Sequence, residues 1–269
     1  MKNTTHIDVS ALAKEFDLPV TVLDAFVNRF APTHVSQGAY QATSDVLLFV
    51  HIPKTAGMSV GRSLREAFDV FRGVDWTNKA KSFRDETRAA VYTQSRANSR
   101  QVIMGHYGWS ELQIWRNHNM PLKCGTILRD PVARVVSNYN YNCSPKHPLN
   151  ETFKGRFPTL DDYVVNLPLD VQVTQAAGLI CSFENLLDKL NTHYSFLGVA
   201  EHLNASLTHL WRSHGLPAQQ TYRENTGPRS QVPPLSLALR KIIQDRSHND
   251  CKLHDLLTRL YTAAAPAKE

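Results

Sequence analysis

The chain reads as an α/β domain, a mainly parallel central sheet flanked by helices in three layers. Two observations predict this. Asp45–Ile52, DVLLFVHI, is a continuous Val/Leu-rich apolar run, too short for a buried helix and suited to a strand covered on both faces. Strand candidates then alternate with stretches of helical periodicity, and two of them pass directly through a short loop into a helix, the order that builds parallel sheets. In such sheets ligands sit at the carboxyl ends of the strands. With 269 residues, 42% of them hydrophobic and 20% charged, the chain can bury one elaborated core, and two large independent domains are disfavoured.

In chain order, Leu12, Phe16, Leu18, Val22, Leu23, Phe26 and Val27 recur at helical spacing and Pro19 interrupts them, so residues 9–30 form one or two short helices. The polar stretch Thr33–Ser44 follows, which sets residues 1–44 apart as an N-terminal helical appendage to a domain of residues 45–269. After the first strand and the loop Pro53–Gly57, the apolar positions Val60, Leu64, Ala67, Phe68 and Phe71 predict one helix reaching Phe71. Gln101–Gly105 and Leu122–Leu128 are the second and third strands. Asp130 supplies an N-cap, Pro131 takes the first helical position, and Val132, Val135, Val136 and Tyr139 carry the helix onward. Residues 143–158, with three prolines, read as a long loop, and the remainder as mostly helical with one short strand at Tyr194–Val199.

The net charge of +6 is unevenly spread. Residues 54–160 hold 17 Lys/Arg against 8 Asp/Glu, a net +9, while the flanking stretches carry −2 and −1. That excludes a basic nucleic-acid tail and points to an anion site built into the fold. The four cysteines have no C-x-x-C spacing and read as reduced thiols. No apolar leader opens the sequence and nowhere do 18 apolar residues run together, so a cytoplasmic protein without a membrane span is expected. The sequence gives no signal of oligomeric state.

Two loops carry the chemistry. His51-Ile-Pro-Lys-Thr-Ala-Gly-Met-Ser59 joins a buried strand to a helix, and its small residues let backbone N–H groups approach an anion at the positive end of that helix. Lys54 adds a cation, and Thr55 and Ser59 add hydroxyls. The loop lacks G-x-x-x-x-G-K-[ST] and no acidic strand end offers to hold magnesium, which disfavours an ordinary nucleoside triphosphatase. In the second loop Arg129 leaves a strand end, and Ser137 lies about 10 Å along the next helix at ~1.5 Å per residue. A guanidinium wrapping back to that hydroxyl suits a second phosphate.

Together these segments resemble the sulfotransferase superfamily, most closely its carbohydrate branch with the heparan 2-O-sulfotransferases and their small bacterial relatives. The resemblance spans about residues 46–261. It includes Met104-Gly-His106, Phe183-Glu-Asn185, Gly198-Val-Ala-Glu201 with Ser206-Leu207, and Asn225–Arg229 followed by Asp250, Leu260 and Tyr261. It implies a P-loop-like fold that uses 3′-phosphoadenosine 5′-phosphosulfate as donor, with adenosine 3′,5′-bisphosphate as product. Lys54, Thr55, Ala56, Gly57, Met58 and Ser59 would surround the 5′-phosphosulfate, and Arg129 and Ser137 the 3′-phosphate, with Arg229 a further nucleotide contact. Met58 departs from the Thr or Ser usual at its position.

His106 matches the family's general base, and Lys54 would stabilise charge growing on the bridging oxygen. The other histidines show no metal-ligand spacing, so no catalytic metal is expected. The acceptor implied is a hydroxyl of a carbohydrate or glycoconjugate. A small alcohol, phenol or peptide tyrosine stays open as acceptor, as does a nucleotide-binding protein or phosphoryl-transfer enzyme of the same fold. Tyr107, Trp109, Tyr139 and Tyr141 are candidates to stack on sugars, and Lys146, His147, Lys154 and Arg156 to meet an acidic saccharide.

Overall fold

The computed structural model describes residues 7–32, 46–94, 96, 99–116, 123–216 and 235–264. In chain order the elements are α1 (Val9–Phe16), α2 (Val20–Phe30), β1 (Val46–Val50), α3 (Gly57–Ala67), β2 (Val70–Gly73), α4 (Lys79–Gln94), β3 (Gln101–Gly105), α5 (Trp109–Arg116), β4 (Lys123–Leu128) and α6 (Pro131–Cys143). There follow α7 (Asn150–Arg156), α8 (Leu160–Val165), α9 (Val171–Ala177), α10 (Phe183–His193), β5 (Tyr194–Val199), a short 3-10 turn (Ala200–His202), α11 (Leu203–Ser213), α12 (Leu237–Arg246) and α13 (His248–Ala263).

The strands form one sheet in the order β2-β3-β1-β4-β5, and every pairing is parallel. Side chains alternate across it as the period of a strand dictates. Val46, Leu48 and Val50 of β1 join one core cluster with residues of α2, α10 and α13, whereas Leu47 and Phe49 join another with α3 and α11. All five residues of β1 are buried, which is why this strand is an unbroken apolar run. The three-layer α/β reading holds. A smaller cluster of Val132, Val135, Leu160, Val164, Leu239 and Ile243 packs α6, α8 and α12 beside it.

Local signals set most boundaries. Asp130 caps α6, its carboxylate accepting the Ala133 N–H at 2.7 Å with Pro131 at the first position. Pro19 stands at the N-cap of α2 and separates it from α1. Leu23, Phe26, Val27 and Phe30 of α2 are buried in the same cluster as the sheet. Two expectations are corrected. The first helix of the domain ends at Ala67, and Phe71 belongs instead to β2, an edge strand whose register against β3 runs Val70↔Gln101 to Gly73↔Met104. Four residues are too few for strand periodicity to outweigh a helical pattern running into them. The long loop of residues 143–158 contains α7, which has no side-chain cap and is held by Phe153, whose ring packs at steep angles against Tyr139, Phe157 and Tyr163.

Two aspartates lock distant helices together. Asp250 at the start of α13 accepts the Gln172 and Val173 N–H groups at 3.1 and 2.8 Å, and Asp170 at the start of α9 accepts those of Asn249 and Asp250 at 2.8 and 3.2 Å. Each carboxylate thus satisfies the first-turn donors of the other's helix. Among the described residues no helix is long and apolar enough to cross a membrane. All four cysteines are free.

Truncating the fully buried Phe26 to alanine is expected to cost about 3–5 kcal/mol in urea unfolding. An unchanged midpoint would show that α2 is not part of the cooperative core.

Candidate active site

β1 is flanked by β3 and β4, with Val50 level with Gly105 and Thr126, so the loops leaving all three strands emerge side by side at their carboxyl ends. His51 N–H donates to the Gly105 carbonyl at 2.9 Å, carrying the β1–β3 ladder one residue further. The chain then turns sharply. Lys54 and Ala56 both take left-handed backbone conformations, φ 72° and 65°, an arrangement that costs about 1–2 kcal/mol per non-glycine residue and that clusters at binding sites. Thr55 anchors the turn, its buried hydroxyl donating to the Ile52 carbonyl at 2.8 Å. That proton is therefore committed to the loop.

Ala56 is the N-cap of α3 and makes no side-chain cap hydrogen bond, so the positive end of the helix dipole faces the turn, a setting that suits an anion. Gly57 is required here: a Cβ at this position would lie 1.7 Å from His51 Nε2. Met58 is exposed, and Ser59 is buried in the first turn.

His51 and His106 stack with ring centroids 4.3 Å apart. His106 Nδ1 lies 3.0 Å from the His51 carbonyl. A carbonyl only accepts, so Nδ1 carries the proton and Nε2 is the basic nitrogen. Burial holds the His106 pKa below the usual imidazole value, aided by the Lys79 charge and opposed by the hydrogen bond to His51. His51 is pushed down to about 3 by burial, then by His106 and Lys54. Both rings are neutral near neutral pH. Lys54 Nζ sits over the Tyr141 ring, 4.0 Å from its centroid. Its pKa is lowered by burial, then by Arg129 and Lys146.

Arg129 bridges the two loops: its Nη1 donates to the Lys54 carbonyl at 3.1 Å. Its other neighbours line a cavity of about 290 Å³ formed with Ser137, Asn140, Leu235 and Arg240. The arginine leaving β4 and the serine one helix face onward thus share one cavity. Arg240 of α12 enters it too, and sequence reasoning missed it because α12 has no motif and lies far along the chain. Lys54, Thr55, Ala56, Gly57, Met58 and Ser59 are contiguous on the turn, with His106 beside it. Arg229 lies outside the described residues.

Among the sugar-stacking candidates, Tyr107 is excluded: it is fully buried, with its hydroxyl donating to the Ile103 carbonyl at 2.7 Å. Tyr139 packs into the Phe153–Tyr163 group. Trp109 packs on His193, and Tyr141 is 38% exposed beside Lys54.

These features define a parallel α/β fold with a tight turn into a helix start after the central strand, a cavity lined by Arg129 and Arg240, and a neutral imidazole between strand ends. The sulfotransferase family model matches residues 37–261, and the chain belongs to that family. The protein is a sulfotransferase. No curated protein matches the sequence. Among solved structures the chain is similar to the mouse sulfotransferase SULT7A1 complexed with PAP, at 14% identity and a TM-score of 0.43, over 80% of this chain and 69% of that one.

Gly57→Ala forces the His51 ring or the first turn of α3 to move. The variant is expected to fold, by thermal melting, while calorimetry with adenosine 3′,5′-bisphosphate shows binding weakened roughly 10-fold or more. Wild-type affinity would show that the turn does not hold the anion.

Proposed function

We propose that the protein transfers the sulfuryl group of 3′-phosphoadenosine 5′-phosphosulfate to a hydroxyl of a carbohydrate or glycoconjugate. The observation that carries this reading is the Arg129–Lys54 link, which joins an anion cradle to a second cationic cavity, as a donor with two separate phosphate groups requires. The residues present suit such a donor: a glycine at the close approach, an uncapped helix start, and cations at both ends. In this reading the backbone of Lys54–Ser59 receives the 5′-phosphosulfate, and Arg129 and Ser137 the 3′-phosphate, joined by Arg240, with Arg229 a further nucleotide contact. The catalytic unit is residues 45–269, with α1 and α2 of residues 1–44 docked on its core.

The donor supplies the activated sulfuryl group and a leaving bisphosphate. His106 Nε2 takes the proton of the acceptor hydroxyl as its oxygen bonds to sulfur and the bridging S–O bond breaks. Lys54 meets the charge that develops on the departing oxygen, and its partial burial strengthens that interaction. Tyr141, exposed beside Lys54, offers a face for the acceptor, with Lys146 close enough to lower the Lys54 pKa. The carbohydrate class rests on the likeness of the two loops to the carbohydrate branch.

Sulfate transfer from labelled donor to a panel of polysaccharide, phenol and small-alcohol acceptors tests this reading. His106→Ala and Lys54→Ala are each expected to lower kcat by roughly 10²–10⁴-fold. Transfer within a few fold of wild type would remove the assigned role. The basic form of His106 is the active one, and its pKa lies below the ordinary value of about 6.5. The kcat/KM profile should therefore hold as pH falls into the ordinary imidazole range and decline only below it. An acid limb above that range would show that another group is the base.

A further inference from the structure

Helix α9 holds two glutamines three positions apart, and each spends its side-chain amide on backbone of the site. Gln172 is fully buried and makes a two-way pair with one residue: Oε1 accepts the Arg129 N–H at 3.0 Å, and Nε2 donates to the Arg129 carbonyl at 2.9 Å. This is what a neighbouring strand would offer, supplied where β4 has just ended. Gln175 Nε2 donates to the His51 carbonyl at 3.1 Å and to the Tyr107 carbonyl at 3.0 Å. The His51 carbonyl is the same one that receives His106 Nδ1–H. The helix is itself fixed at its start by Asp250.

Resting on the assignment of Arg129 to the nucleotide and of His106 as base, we propose that α9 is a positioning element: Gln172 aims the Arg129 guanidinium, and Gln175 sets the tautomer and orientation of His106. Both act through other residues. A primary amide donates and accepts side by side, so one glutamine serves both backbone groups of a strand-end residue. With that peptide pinned, the guanidinium reaching the Lys54 carbonyl has a fixed origin. On the other side, a neutral imidazole has two tautomers, and the one protonated at Nε2 has no lone pair there to take a proton. The His51 carbonyl selects the productive one, and Gln175 keeps that carbonyl pointed at the ring. The spacing of three residues puts both amides on one side of a short helix, facing the ends of β1, β3 and β4.

The test compares the wild-type chain, Gln172→Met and Gln175→Met. Calorimetric titration with adenosine 3′,5′-bisphosphate and ring-nitrogen NMR of His106 are recorded on each, with steady-state kinetics alongside. Gln172→Met is expected to bind the nucleotide roughly 10-fold more weakly, raise the KM for donor, and leave the His106 ring nitrogens as in wild type. Gln175→Met is expected to bind the nucleotide normally, shift His106 toward the Nε2–H tautomer, and lower kcat roughly 10-fold with little change in donor KM. The inference is overturned if either variant leaves its own readout unmoved, or if both variants move both readouts together, as a general loosening would. Should a methionine variant not fold, the glutamate at the same position keeps the shape without the donor, and the same outcomes decide. Absence of nucleotide binding by the wild-type chain would overturn the functional reading itself. Binding that Gln172→Met does not alter would overturn this inference alone.

Discussion

The backbone of His51 is where the sheet hands over to the site. Its N–H completes the ladder to β3 through Gly105, and its carbonyl, one bond further on, is already committed to two donors, His106 Nδ1–H and Gln175 Nε2–H. The side chain then lies where Gly57 would otherwise carry a Cβ. One residue therefore ties the end of β1 to His106 on β3's loop, to α9, and to the start of α3. The left-handed turns at Lys54 and Ala56 are tolerable because both ends of the loop are fixed in this way. Loop strain and the neutral, oriented imidazole share a single anchor.

The charge distribution takes on a clearer meaning once partners are visible. Some of the cations of residues 54–160 are paired within the segment, as Arg72 with Glu86, Arg100 with Asp69, Lys81 with Asp85, and Lys154 with Glu151. Lys54 and Arg129 are different: their neighbours are carbonyls, an aromatic face and one another. Two cations held close together repel each other, and an anion beside them would relieve that repulsion. The net charge of the segment is less informative than which of its cations the fold withholds from carboxylates.

The elements that sequence makes plain are those whose signals are local. β1 is readable because both its faces are covered, and α6 because Asp130 and Pro131 mark its start. Lys54, Gly57, Arg129 and His106 stand out because each lies in or beside a short loop leaving a strand end, within a compact motif. β2 and α7 were hidden, the first because pairing with β3 overrides four residues of ambiguous pattern, the second because aromatic packing replaces a cap. Gln172, Gln175 and Arg240 were invisible for a different reason. Their partners are long-range, Gln172 reaching Arg129 and Gln175 reaching His51, so no window of sequence contains both halves of the interaction.

The exchanged caps of Asp170 and Asp250 carry a consequence for how the chain is assembled. Because each aspartate satisfies the opening turn of the other's helix, α9 and α13 are complete only together, although some eighty residues separate them. A growing chain that has already made every strand of the sheet still lacks the acceptor for the start of α9. The helix whose glutamines hold the Arg129 and His51 backbones is therefore completed by a segment far along the chain from either of them. The opening turns of α9 and α13 are therefore completed together, when the two helices meet.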